Sequence, residues 1–310
     1  MVTTFTNTKI FRKNKGIKMK KALAIDVGGT KIYNAIIDES GSIIGEIEKH
    51  STPKTFEEIK STFKSIIEKY ENTVDVIAFS TCGAVNNQNT GIVGSTGNIA
   101  KEYPTLDFQS LSSKPVFVEN DANCAAWAEY KIGASKNTTV SVMITLGTGV
   151  GGGIIINGHL LKGQNGAAGE MHFKMRTDKH RKCTCGSYDC FEIYTSGTGL
   201  KLTAEEMSGN KNITTYDVVE GVQNSDPKMI EILDKWHQDL ADGLIGLANI
   251  FDPDCVVLSG SMAEFVDTQK IEEEVNSQIV TTPTKIVKAQ AGNYSGMIGA
   301  ALLALEVHNG

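Results

Sequence analysis

The chain has 310 residues, 40% hydrophobic and 21% charged, with a net charge of −6 and a pI near 5.6. That length exceeds one ordinary core and suits two domains, and the acidic balance argues against a nucleic-acid partner without excluding a local basic patch. No apolar run approaches the ~20 residues of a membrane span, and the six cysteines, three of them clustered at Cys183, Cys185 and Cys190, read as a reduced cytosolic chain and not as a disulfide scaffold.

Residues 1–20 are basic and lack the apolar centre of a signal peptide, so a flexible extension is expected there. Leu23–Val27 reads as a buried strand, Gly28-Gly29 as a tight tip and Ile32–Ile37 as the returning strand. Glycine is suited to the tip because it tolerates positive φ. Ser42–His50 gives a third strand. Phe56–Tyr70 carries Phe56, Ile59, Phe63, Ile66 and Ile67 at helical spacing, and Val74–Ser80 is again strand-like. The first part therefore reads β-β-β-α-β, antiparallel and then crossing over. Cys82–Gly97 is rich in Gly and Asn and reads as loop with short strands. Pro115–Glu119 is a strand ending on Asn120-Asp121, followed by a helix over Ala122–Ile132.

Val140–Leu146 and Ile154–Ile156 bracket a second glycine tip, Gly147 to Gly153. Asp226 is placed to cap a long amphipathic helix, Pro227–Phe251, with proline at its first position. Val256–Leu258 ends on the small-residue turn Ser259-Gly260-Ser261. Ser295–Val307, rich in Ala and Leu, reads as a buried helix packing back on the first domain. The expected domains are 21–121, closed by 295–307, and 122–294.

The glycine tip leaves backbone N–H groups open to a phosphate. Thr30 and Lys31 add a hydroxyl and a positive charge, and Asp26 at the strand end suits a hydrated Mg2+. A bare Gly-Gly turn with nothing bound fits the same residues. The second hairpin shifts the balance, because two such tips can clamp a polyphosphate from both sides. Asn120-Asp121 reads either as a helix cap or as a pair of site residues.

Five motifs occur in order: Asp26-Val27-Gly28-Gly29-Thr30-Lys31; Val118-Glu119-Asn120-Asp121-Ala122-Asn123; Leu146 to Gly153; Gly166-Ala167-Ala168-Gly169-Glu170; and Cys183-Thr184-Cys185-Gly186 running to Cys190-Phe191-Glu192. With these the chain resembles the ROK family of sugar kinases and repressors, over residues 21 to about 306. The resemblance implies an α/β chain with a two-domain actin-like ATPase (ribonuclease H-like) fold, each domain a mixed sheet flanked by helices. It implies Asp121 as the base that deprotonates a sugar 6-hydroxyl for attack on the γ-phosphate of ATP, a task that needs a positioned carboxylate. Asn98 and Asn120 would bond neighbouring sugar hydroxyls, and Glu170, His172 and Glu192 would line the far side of the sugar. Gly28, Gly29, Thr30, Lys31, Thr148 and Gly149 would hold phosphates, with Gly260 and Ser261 near the nucleotide. ATP, Mg2+, a cytoplasmic location and a homodimer follow from the same resemblance.

In that family a Cys-x-Cys-Gly-x-x-Gly-Cys run and an upstream histidine hold a structural zinc. Here the second glycine is Asp189, and the usual Glu-x-Gly-His reads Glu170-Met171-His172-Phe173. With one residue deleted, His172 is the family histidine. Otherwise Phe173 takes its place and His180 is a substitute ligand. The expected metal set is His172, Cys183, Cys185 and Cys190, against three reduced thiols in a loop. A sugar-responsive repressor is the rival function. The roughly 20 residues before the first hairpin are too few for the winged helix-turn-helix such proteins carry. An actin-like filament protein is disfavoured by the sugar motifs.

Overall fold

A computed structural model describes residues 19–94, 99–175 and 180–309. Most of the expected N-terminal extension, residues 1–18, lies outside the described residues. Strands β1 (Lys21–Val27), β2 (Lys31–Asp38) and β3 (Ile43–Ser51) form an antiparallel meander. Helix α1 (Phe56–Tyr70) then crosses over to β4 (Val76–Thr81), which runs parallel to β1, and β5 (Val116–Asn120) lies parallel on the far edge. The sheet order is β3-β2-β1-β4-β5.

Helix α2 (Asp121–Ile132) leaves this sheet. A second meander follows in β6 (Val140–Leu146), β7 (Val150–Ile156) and β8 (His159–Leu160). The chain continues through α3 (Glu192–Thr195), α4 (Gly197–Ser208), α5 (Thr215–Gln223) and α6 (Pro227–Phe251) to β9 (Cys255–Ser259). After α7 (Thr268–Gln278), β10 (Lys285–Lys288) and α8 (Ser295–Asn309) complete it. The second sheet, β8-β7-β6-β9-β10, repeats the plan of the first: a meander, then two parallel strands on the other flank.

The helices begin where the sequence places their caps. Thr55 accepts the N–H of Glu58 at the start of α1, which buries Ile59, Phe63, Ile66 and Ile67. Asp226 accepts the N–H groups of Lys228 and Met229 at the start of α6, with Pro227 in its first turn. Strand β1 is apolar on both faces because both are covered. Leu23 and Ile25 pack with Phe63 and Phe79 on one side, and Ala22 and Ala24 pack with Met297, Ala300 and Ala301 of α8 on the other.

Two local expectations are corrected. Strand β7 begins at Val150 and takes Gly151, Gly152 and Gly153 into its ladder opposite β6. These glycines make room for neighbours: a Cβ on Gly153 would lie 2.6 Å from that of Ala126 in α2. Nor do the tip glycines Gly28, Gly29, Gly147 and Gly149 adopt a positive φ. Gly149 and, less tightly, Gly28 serve close approach, since a Cβ there would lie 2.5 Å from Glu192 and 3.2 Å from the Lys31 carbonyl.

Candidate active site

The C-terminal ends of β1, β4 and β5 and those of β6 and β9 supply the same cleft, the usual binding edge of such sheets. A cavity of about 360 Å3 there is lined by Asn120, Asp121, Glu170, Glu192, Gly149 and Gly260, among others. Three carboxylates from three chain segments thus meet around one space.

Asp121 is the first residue of α2 and reaches solvent through the cleft; its Oδ1 accepts the N–H of Ala122 at 2.8 Å. Desolvation by the surrounding protein pushes its carboxyl up to about 6, with the charges of Asp26 and then Glu170 adding to the effect. Asp26 faces Ser80 across the β1–β4 ladder and accepts its hydroxyl at 2.6 Å. Burial raises the Asp26 carboxyl above its usual range, and the Ser80 bond opposes that rise. The first turn of α8 presses on this pair, since a Cβ on Gly296 would lie 2.9 Å from the Ser80 hydroxyl and 3.3 Å from Asp26 Oδ1.

Asn120 is both cap and lining residue. Its side-chain oxygen accepts the N–H of Asn123 at 3.0 Å and its amide donates to the Gly83 carbonyl at 3.2 Å. Glu192 accepts the Val150 N–H at 3.1 Å and the Thr184 hydroxyl at 2.6 Å. Its carboxylate lies so close to the second hairpin tip that a Cβ on Gly149 would come within 2.5 Å of it. Glu170 is exposed and lines the same cavity.

Beside the cleft, the ligand atoms of His172, Cys183, Cys185 and Cys190 all lie within 4.8 Å of one another. His172 Nδ1 is buried with no hydrogen-bond partner among the described residues. Burial pushes the Cys183 thiol up to about 12 and raises Cys190 too, whereas the Ser187 N–H lowers Cys185. A bound cation would hold the buried thiols as thiolates. Three sulfurs and an orphaned imidazole nitrogen fit a tetrahedral zinc.

His180 does not join the set. It is exposed, with its Nδ1 3.6 Å from Asp189. Phe173 stacks on Phe191 at 4.8 Å between centroids. Asp189 adopts φ +58, a conformation natural to the glycine it replaces. It is held there by the Arg181 N–H at 2.8 Å and the Tyr194 hydroxyl at 2.7 Å.

The remaining expected residues border neighbouring space. Thr148 and Ser261 line a cavity of about 460 Å3 with Tyr216 and Phe265. Gly260 and Ser261 line another, of about 420 Å3, with Gly292, Asn293 and Ser295. At the first tip the Gly28 N–H donates to the Lys31 carbonyl at 2.9 Å, and the Thr52 hydroxyl donates to the Gly28 carbonyl at 2.7 Å; Gly29 and Thr30 complete the turn. Asn98 lies outside the described residues.

One residue of the second motif has partners that the motif does not disclose. Glu119 is buried under the Asn120-Asp121 pair and accepts from Lys162 at 2.8 Å, Asn89 at 2.7 Å and Asn123 at 3.2 Å. Asn89 and Lys162 stand 30 and 43 positions away, so no local pattern links them.

Two mixed sheets on one plan, with a cleft where their strand ends meet, define an actin-like ATPase fold of the sugar-kinase type. The ROK family model matches residues 22–307, and the chain belongs to that family. It is 32% identical over 315 residues to a glucokinase of Streptomyces coelicolor, covering 93% of this chain and 98% of that one. It is 31% identical over 293 residues to an N-acetylmannosamine kinase of Yersinia pseudotuberculosis, covering 92% and 99%. The crystal structure of a ROK family glucokinase from Streptomyces griseus, in complex with glucose and AMPPNP, superposes with a TM-score of 0.76 at 28% identity, covering 92% of this chain and 99% of that one. Among the described residues no helix is long and apolar enough to cross a membrane.

Proposed function

We propose that the chain is an ATP-dependent sugar kinase that transfers the γ-phosphate to the 6-hydroxyl of a hexose or N-acetylhexosamine, with glucose, N-acetylmannosamine and N-acetylglucosamine as the candidates. The observation that carries this reading is the meeting of Asp121, Glu170 and Glu192 around one cleft. The glucokinase and N-acetylmannosamine kinase relatives support it.

Asp121 takes the proton of the sugar hydroxyl as the oxygen attacks the γ-phosphate in line. A carboxyl raised to about 6 stays ionised at neutral pH and is a stronger base than an ordinary aspartate. Glu170, Glu192, Asn120 and Asn98 bond the other hydroxyls and hold the ring so that the 6-oxygen is the one presented. The tip Gly28 to Lys31, through N–H groups beyond that of Gly28, and Thr148 and Gly149 take the phosphates from both sides. Gly260 and Ser261 border the nucleoside. Mg2+ would neutralise the charge that develops on the phosphates, and Asp26 is the carboxylate that would hold its water shell.

Zinc at His172, Cys183, Cys185 and Cys190 has no chemical part in this reading. Those four residues would hold it so that the stretch after Glu170 is tied to the one before Glu192, which would fix the sugar wall. The two domains, 21–121 closed by α8 and 122–294, both contribute to the cleft, and two copies form a homodimer. A panel of hexoses and N-acetylhexosamines in a coupled ADP-release assay tests the proposal. ADP release with at least one of them, and a 6-phosphate product by mass spectrometry and NMR, is the expected result. No release with any member overturns it.

A further inference from the structure

We infer that two buried carboxylates, Glu119 just before α2 and Glu129 near its far end, are positioning residues that register the base Asp121 separately against the sugar side and the nucleotide side. This rests on the kinase reading above. Neither residue lines the cleft; each acts through what it holds.

Glu119 is 1% exposed and pairs with Lys162 at 2.8 Å. The other Glu119 oxygen accepts the N–H of Asn120 at 2.9 Å, next to the base. Lys162 belongs to the second half and also donates to the Asn86 carbonyl at 2.9 Å. Its own carbonyl accepts the Ala168 N–H at 3.1 Å, at the start of the loop that carries Glu170. One ion pair thus ties β5 and the base to the sugar loop across the two halves.

Glu129 is completely buried, and its described side-chain partners are backbone N–H groups: Gln290 at 2.9 and 3.0 Å, Ala291 at 2.7 Å and Ala134 at 2.7 Å. A carboxylate near a helix C-terminus opposes the helix dipole, and burying one costs free energy that an apolar residue would not. Packing alone therefore does not explain it. What it fixes is the segment joining β10 to α8, whose neighbours Ala289, Gly292, Asn293 and Ser295 line the cavity beside Gly260 and Ser261. The helix that carries the base is pinned to the sugar loop at its start and to the nucleotide wall at its end.

The test is a double dissociation. Lys162→Met, Glu119→Gln/Lys162→Met, Glu129→Gln and the milder Glu129→Asp are compared with the unmodified chain. KM values are measured for ATP and for glucose or N-acetylmannosamine, with calorimetric affinities for the same sugars and for AMPPNP, and with melting curves.

Lys162→Met is expected to raise the sugar KM roughly tenfold, the scale of coupling between contacting residues, and to leave the ATP KM within about twofold. The double variant should recover part of that loss, because no unpaired buried carboxylate remains. Glu129→Gln should raise the ATP KM by a similar factor and spare the sugar, with Glu129→Asp showing the same split in weaker form. Variants that move both KM values together, or that change only the melting temperature, overturn the inference and leave the kinase reading intact. An unmodified chain that binds neither sugar nor AMPPNP sinks the kinase reading, and this inference with it.

Discussion

The two sheets share one topology, yet their hairpin tips are held in different ways. The first tip is anchored by its own sheet: the Thr52 hydroxyl, just past β3, donates to the Gly28 carbonyl, and the Thr52 N–H donates to that of Thr30. The second tip is gripped from outside. The Gly147 carbonyl accepts the Gly197 N–H at 2.8 Å, the Thr148 carbonyl accepts the Thr198 hydroxyl at 2.7 Å, and the Glu192 carboxylate takes the Val150 N–H. Glu192 is itself held by Thr184, between two cysteines of the His172, Cys183, Cys185 and Cys190 cluster. A duplicated plan thus gives one tip that answers to its sheet and one that answers to the segment from Glu192 to Thr198.

The largest expected effect marks what neither tip supplies. Asp121→Asn should lower kcat by roughly 100- to 10,000-fold, the range for a lost general base, with sugar affinity largely kept. Asp121 must be ionised to accept a proton. In the unmodified chain kcat/KM should therefore fall as pH drops through about 6, and the residual activity of the variant should lack that limb. A pH-rate profile that is the same for both would remove Asp121 from the chemistry.

Metal loss separates the tips next. Cys190→Ser, or chelation, should remove zinc by elemental analysis and weaken sugar affinity by about tenfold or more, a typical cost of disturbing the support of a site. The first tip should be untouched. Metal-free protein with full sugar affinity would mean that packing alone orders the loop.

Small substitutions at the tips sharpen the contrast. Gly149→Ala must displace the Glu192 carboxylate, so affinity for both sugar and AMPPNP should fall, by roughly tenfold if one contact is lost. Gly28→Ala meets only the Lys31 carbonyl at 3.2 Å and should weaken AMPPNP alone, by a smaller factor. Thr52→Val removes one hydrogen bond worth about 1 kcal/mol. It should give the smallest effect, a several-fold rise in ATP KM with no change in sugar affinity. Equal responses at the two tips in calorimetry would erase the distinction.

The parts legible in the sequence are those whose signal is local. Strand β1, helix α1 and helix α6 announce themselves by apolar runs, helical spacing and caps. Helix α4 does not. It opens Gly197-Thr198-Gly199, a loop-like run, yet Gly199 is required because a Cβ there would lie 2.5 Å from the Tyr194 backbone. Strands β8 and β10 are too short to show a period. At the site, Asp121, Glu170, Glu192 and the cysteines sit in motifs that can be read in order. Glu119 sits in one of those motifs too, but its role and that of Glu129 are not legible there, because they lie in Lys162 and in the Gln290 and Ala291 backbone, which only folding brings to them.

Helix α8 covers one face of the first sheet with Met297, Ala300, Ala301 and Leu305, yet it is the last described element to be synthesised. As the polypeptide leaves the ribosome, Ala22, Ala24, Ile37, Val76 and Ala78 therefore wait with that face open while the whole second sheet is made. The first half cannot mature as a separate cotranslational unit, although it emerges first. A nascent chain halted before residue 295 would display an apolar sheet face, a surface that chaperones recognise and on which unfinished chains aggregate.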